Sequence, residues 1–311
     1  MNFFAIGIDI GGSNIKFVLL QIKSGIKIKI LEKKRISTLK KKSEIIEVLK
    51  REIKNFIKQI TPGVGKKEIE GIGIAVASPL NEAGDLILEP PNLPCLKNCR
   101  LAKILKKDFK NIPIFLENDV NCFTLAEALI GAAKVAKIVF GITLGSGIGG
   151  GIVYKFPISN NQFPKIYRGA FGGAGEVGHT IIKFDGPKCN CGNFGCLEEY
   201  CSIRFFEREK TIPRLLERRI KKGDKRALKI FKEYGRNLGI GLSNVINLLD
   251  PEIIVIGGGI SKAHKFFLAE TKKEIQKRVI SPLSKKCVKI RITKFGDFSG
   301  AVGAALLTTY N

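Results

Sequence analysis

Two glycine-rich turns, each set between apolar strands, open the two halves of this 311-residue chain in the same way. The first is Asp9-Ile10-Gly11-Gly12-Ser13, which follows the Phe- and Ile-rich run 3–10. The second is Thr143-Leu144-Gly145-Ser146-Gly147, between apolar runs at 137–144 and 148–154. Strands are expected at 3–10, 14–22 and 26–36, the last two joined by a hairpin turn at Ser24-Gly25. Ser43 is expected to cap a helix running to Ile60, because Ile45, Ile46, Leu49, Ile53, Phe56, Ile57 and Ile60 keep a 3.6-residue period. Thr61-Pro62-Gly63 stops it. A buried strand at 69–76, a proline-rich loop over 77–96, a short strand at 112–116 and a helix capped by Asn118 through Ala133 complete the first set. The second half then predicts helices at 211–222 and 224–249 and a strand at 253–256 closed by Gly257-Gly258-Gly259. A helix at 262–279, a strand at 288–293 and a helix at 299–310 follow. The element order of the first half recurs in the second, a weak internal repeat. An α/β fold of two similar lobes is expected, 1–117 completed by the C-terminal helix 299–311, and 118–298. Ligands are expected in the cleft where strand ends meet.

Between the second hairpin and the helices lies His179-x9-Cys189-x-Cys191-x4-Cys196. One imidazole and three thiolates within eighteen residues are what a tetrahedral zinc site needs, and Gly192 and Gly195 favour a tight chelating turn. Two carboxylates, Glu176 and Glu198, sit beside these ligands. Eight cysteines in a chain this long do not make a disulfide scaffold, so reduced thiols in a cytoplasmic protein are expected. The longest weakly polar run, 138–153, contains six glycines and is shorter than the ~20 apolar residues of a membrane span. The net charge of +25 invites a polyanion partner. The lysines are spread along the chain, however, so a solvated basic surface is expected and no specific nucleic acid.

The phosphate chemistry is legible in the turns. Glycines let backbone N–H groups approach a phosphate, Ser13 adds a hydroxyl, and Asp9 at a strand end suits Mg²⁺. Gly145-Ser146-Gly147 with Gly149 to Gly151 makes a second cradle, which lacks the lysine of a P-loop. Two such hairpins fit one triphosphate held from both sides. Gly257-Gly258-Gly259 presents flat backbone suited to a purine. Asp9, Gly11, Gly12, Ser13, Lys16, Thr143, Gly145, Ser146, Gly147, Gly258 and Gly259 are therefore the candidate nucleotide residues. Glu117-Asn118-Asp119-Val120-Asn121 lies where a strand ends and a helix begins, and a carboxylate there can act as general base in phosphoryl transfer.

These motifs, together with Gly175-Glu176-Val177-Gly178-His179 and the run Cys189 to Glu198, occur in the order seen in the ROK family (repressors, open reading frames, kinases). The resemblance covers essentially the whole chain, and the zinc window is its most specific part. It implies the actin-like ATPase fold, also called ribonuclease H-like, and ATP-dependent phosphorylation of a hexose, glucose first. It implies Asp119 as the catalytic base and Asn118, Glu176, His179 and Glu198 as partners of sugar hydroxyls, with contacts from the Ser78 and Asn92 region. It implies structural Zn²⁺ on His179, Cys189, Cys191 and Cys196, Mg²⁺ carried with ATP, and a homodimer. Other acceptors (N-acetylmannosamine, fructose, allose) and polyphosphate as donor are alternatives. So is a sugar-responsive repressor, although only eight residues precede Asp9 and leave no room for a helix-turn-helix. Ser13 stands where Thr is common, Ala77-Ser78-Pro79 replaces a more usual Gly-Pro, and 154–168 looks longer than usual.

Overall fold

The apolar run that opens the chain becomes β1 (Asn2–Ile10), the middle strand of a five-stranded sheet. In the computed structural model, residues 2–23, 27–60, 69–155 and 164–309 are described. β2 (Asn14–Lys23) returns antiparallel to β1, and β3 (Lys27–Ser37) antiparallel to β2. The helix α1 (Lys42–Ile60) buries Ile45, Leu49, Ile53 and Phe56, the stripe set by its 3.6-residue period, and Phe56 stacks on Phe17 of β2. β4 (Ile69–Val76) joins the other side of β1 in parallel. A loop with a 3-10 turn at Pro94–Leu96 follows, then α2 (Leu101–Lys106), β5 (Ile114–Asn118) parallel to β4, and α3 (Asp119–Leu129). The sheet order is β3-β2-β1-β4-β5.

The second sheet starts with β6 (Ile138–Leu144) and β7 (Ile148–Tyr154), and β8 (Lys165–Ile166) pairs antiparallel with β7. A 3-10 turn at Val177–His179 leads into the cysteine loop and the short helices α4 (Leu197–Cys201) and α5 (Ile203–Arg208). Next come α6 (Pro213–Lys221), the 25-residue α7 (Lys225–Leu249) and β9 (Ile253–Gly257), parallel to β6. A 3-10 turn at Gly259–Ala263, α8 (His264–Arg278), α9 (Pro282–Cys287), β10 (Lys289–Ile292) and α10 (Ser299–Leu307) finish the chain. The order here is β10-β9-β6-β7-β8. Phe205, Phe206, Phe231, Tyr234 and Phe267 fill the core between its helices, and the Tyr234 hydroxyl donates to the Cys201 carbonyl at 2.8 Å.

The chain divides into two compact units, 1–134 with 153–174 and 294–311, and 135–152 with 175–293. The helix after Asn118 thus belongs to the first unit, where α10 packs on α3 and on β1 and β4. That packing is close: a Cβ at Gly7 or Gly73 would strike the carbonyls of Ala301 or Ala304. This is the mixed α/β arrangement of the actin-like ATPase fold.

Several boundaries differ from the sequence reading. β5 begins two residues late because Pro113 has no N–H to donate; its carbonyl instead accepts from Ile72. The later start carries Glu117 and Asn118 onto the strand. α3 stops at Leu129, not Ala133, where the Glu127 carboxylate turns back to accept the N–H of Ala132. The helix expected at 262–279 splits into a 3-10 turn and α8. The short elements α2, α4, α5, α9 and β8 carry too few residues for periodicity to reveal. Ser24-Gly25, Thr61-Pro62-Gly63, Pro157, Asn160, Asn161 and the last residue of the 299–310 helix lie outside the described residues. Among the described residues, no helix is long and apolar enough to cross a membrane.

Candidate active site

In the first unit, strand pairing fixes the acidic end of β1. Asp9 lies opposite Lys16 in the β1–β2 ladder, and Lys16 Nζ donates to Asp9 Oδ2 at 2.7 Å. The Gly11 N–H bonds the Asn14 carbonyl across the turn at 3.0 Å, and the Gly12 backbone rests against Asn92. At the end of β5, Asn118 caps α3: its Oδ1 accepts from the N–H groups of Val120 (2.8 Å) and Asn121 (3.1 Å). Its Nδ2 remains a donor and reaches the Ser78 carbonyl at 3.4 Å. Asp119, half-buried, begins the helix. Burial first, and the Asp9 carboxylate second, push its pKa up to about 7, against the Val120 N–H and Lys16, which lower it. Asp9, Lys16, Asn118 and Asp119 thus form one cluster, with Ser78 beside Asn118.

Ser78 turns inward. Its hydroxyl donates to the Pro79 carbonyl at 2.8 Å and accepts the Glu89 N–H at 3.2 Å, closing the proline-rich loop. Glu117 was visible only as part of a motif, yet it anchors the cluster. Its Oε1 accepts from the Asn118 N–H (2.9 Å) and Asn121 Nδ2 (3.0 Å), and its Oε2 takes Arg168 Nε at 2.7 Å. Arg168, from the segment after β8, gave no signal in the sequence. Asn121 Oδ1 is buried with no hydrogen-bond partner among the described residues.

The second unit assembles the other candidates. Thr143 pairs with Gly257 in the β6–β9 register, which sets the Gly145 turn beside Gly258 and Gly259; the Gly258 backbone packs on Leu144. The Gly145 N–H bonds the Gly147 carbonyl at 3.0 Å. Residues 175–178 lie against β7, where Gly178 has no room for a Cβ beside the Ile148 carbonyl. Glu176 is exposed and His179 half-buried. The Leu197 N–H bonds the Thr180 carbonyl at 2.8 Å, so the loop closes on itself and brings Glu198 back to β7, where it accepts the Ile148 N–H at 2.9 Å.

The ligand atoms of His179, Cys189, Cys191 and Cys196 all lie within 4.8 Å of one another. Cys191 Sγ and Cys196 Sγ are 3.6 Å apart, and Cys189 Sγ is 3.8 Å from His179 Nδ1. Tetrahedral zinc with ~2.3 Å Zn–S bonds has edges of roughly 3.8 Å. The group therefore fits a metal of this size and softness. Because Nδ1 faces the thiols, Nε2 is left for another partner.

The sequence profile of the ROK family matches residues 5–310. The chain belongs to the ROK family. It is 29% identical to the xylose repressor of Bacillus subtilis, over 90% of this chain and 70% of that protein. It is 29% identical to the N-acetyl-D-glucosamine kinase of Vibrio cholerae (97% and 98%) and 30% identical to the glucokinase of Thermotoga maritima (87% and 86%). The crystal structure of a ROK hexokinase from Thermus thermophilus superposes with a TM-score of 0.78 at 28% identity, covering 98% of this chain and 97% of that one.

Proposed function

We propose that this ROK protein is an ATP-dependent hexose kinase that phosphorylates the 6-hydroxyl of glucose. The observation that carries this reading is Asp119: a carboxylate at a helix N-terminus whose pKa is raised to about 7, beside the Asp9–Lys16 pair. A base of that pKa accepts a hydroxyl proton near neutral pH. Asp119 takes that proton as the oxygen attacks the γ-phosphorus in line, and the bond from the γ-phosphorus to the β–γ bridging oxygen breaks to release ADP. Asn118 Nδ2, Glu176, His179 Nε2 and Glu198, with the Asn92 and Ser78 loop, bind the sugar hydroxyls. The turns at Gly11, Gly12 and Ser13 and at Thr143, Gly145, Ser146 and Gly147 hold the phosphates with Lys16, and Gly258 and Gly259 face the purine. Magnesium carried with ATP would neutralise phosphate charge, with Asp9 as its protein partner. Zinc would fill the His179, Cys189, Cys191, Cys196 group. With four protein ligands it would have no open position, so it would hold the loop and supply no activation of the phosphate.

Similarity to a hexokinase, a glucokinase and an N-acetyl-D-glucosamine kinase supports sugar phosphorylation more strongly than it supports glucose itself. Similarity to the xylose repressor favours sugar-responsive repression as a second reading, and operator-specific binding in a gel shift at physiological salt would support it. The net charge of +25 motivates polyphosphate as an alternative donor. We also propose a twofold homodimer in the cytoplasm, the commonest oligomer type. A coupled assay of ADP release over glucose, N-acetylglucosamine, N-acetylmannosamine, fructose and allose tests the main reading. Glucose is expected to give the highest kcat/KM. A preference for another sugar removes glucose alone, and no turnover with any of them removes the kinase.

A further inference from the structure

The glycine-rich turn at 145–148 is held from behind by the segment that closes the cysteine loop. Glu198 Oε2 accepts the Ile148 N–H at 2.9 Å, and a Cβ on Gly147 would lie 2.6 Å from that same oxygen. The Ile203 N–H bonds the Gly145 carbonyl at 2.9 Å. Both ends of the turn are therefore pinned by residues of α4 and the start of α5. Glu198 is a buried carboxylate directly against a turn suited to phosphates. An uncompensated negative charge there would repel a nucleotide as well as pay a desolvation cost.

Arg204 supplies the compensation. Its Nη1 lies 3.2 Å from Glu198 Oε1 and 2.6 Å from Glu199 Oε1. Glu199 is itself buried, and its second oxygen takes Arg208 Nη1 at 2.9 Å. Arg208 thus shares Glu199 but, among the described residues, forms no ion pair with Glu198. Arg204 alone of the two ties the carboxylate that holds the Ile148 amide.

Resting on the kinase reading, we propose that Arg204 is a positioning residue for the nucleotide's phosphates: it fixes and neutralises Glu198 and so sets the 145–148 turn. The cysteine loop is then coupled to the nucleotide through α4 and α5, in addition to its part in the sugar site. An Arg204 serving only to stabilise α5 would change melting temperature and nothing else.

The test is calorimetric binding of ADP without sugar to wild type, Arg204→Met, Arg204→Lys and Arg208→Met, each checked for wild-type metal content and circular dichroism. Loss of a charged hydrogen bond predicts a roughly tenfold weaker ADP Kd for Arg204→Met. Arg204→Lys should recover part of that loss, and Arg208→Met should bind ADP as wild type does. Glucose affinity should fall as well, because Glu198 is also among the proposed sugar contacts, so ADP binding without sugar is the deciding readout. Equal ADP affinity in wild type and Arg204→Met overturns the positioning role and leaves the kinase standing. Equal weakening in Arg208→Met overturns it too, because the effect would then belong to the network as a whole. Should Arg204→Met misfold, Arg204→Lys against Arg208→Met decides the matter on the same readout. Failure of wild type to bind ADP at all overturns the kinase reading itself.

Discussion

Asp119 is the base in the mechanism we propose, and its raised pKa has a consequence for stability that activity assays do not see. A carboxylate with folded pKa near 7 and unfolded pKa near 4 binds more protons in the folded state between those values. Its contribution therefore becomes less favourable as pH rises through that window. Asp119→Asn removes the penalty, so the variant should gain melting temperature over wild type at pH 8 and lose the gain near pH 4. Scanning calorimetry at both pH values measures it, and a gap that does not change with pH argues against the raised pKa. Glu117 and Arg168 make a second case. Glu117 is buried while Arg168 is half-exposed, so the pair is worth less than a fully buried one. Arg168→Met should lower stability by about 1–2 kcal/mol in denaturant titration. It should also lower kcat, because Glu117 sets Asn118 and Asn121 at the start of α3. Unchanged kcat would make the pair purely structural. Sequence displayed Glu117 within a motif but concealed its partner, since Arg168 is 51 residues away and no local pattern marks it.

At the scale of elements, the cysteine loop is the most legible part of the chain, because metal chelation demands particular residue types at short spacing. His179, Cys189, Cys191 and Cys196 converge as that spacing implies. What spacing could not convey is how the thiols differ. Without a metal, a backbone N–H of Asn193 draws Cys191 down to about 7, while burial pushes Cys196 up to about 12. The loop should be isolated with about one equivalent of zinc, and chelation should lower both the melting temperature and sugar affinity, since metal binding is coupled to folding. An active preparation with less than about half an equivalent contradicts this. The short helices α4 and α5 were missed because five or six residues cannot show a helical period. They are also the elements that reach the glycine-rich turn at 145–148. By contrast α1 and α7 each run for several turns with an apolar stripe, and their ends were read to within a residue or two.

For the whole molecule, the recurrence of strand pairs around glycine-rich turns pointed to the fold, and the two five-stranded sheets follow from it. The allotment of α3 was not legible, because it depends on its packing with α10, which is far away in sequence. The basic surface belongs to this scale as well. With cations spread over helix faces, the +25 charge should affect solubility and weak, salt-sensitive association more than catalysis. Sedimentation at 0.1 and 0.5 M salt should give the same dimer, and dissociation at the higher salt would assign the interface to charge. The most direct test of the central claim is the pH dependence of kcat for ATP-driven glucose phosphorylation by wild type and Asp119→Asn. In wild type, kcat should rise with pH through about 7 and level off as Asp119 loses its proton. In Asp119→Asn it should fall by roughly 10²–10⁴ and lose that step, with sugar binding retained. A variant that turns over at near wild-type rates with the same profile would contradict the account.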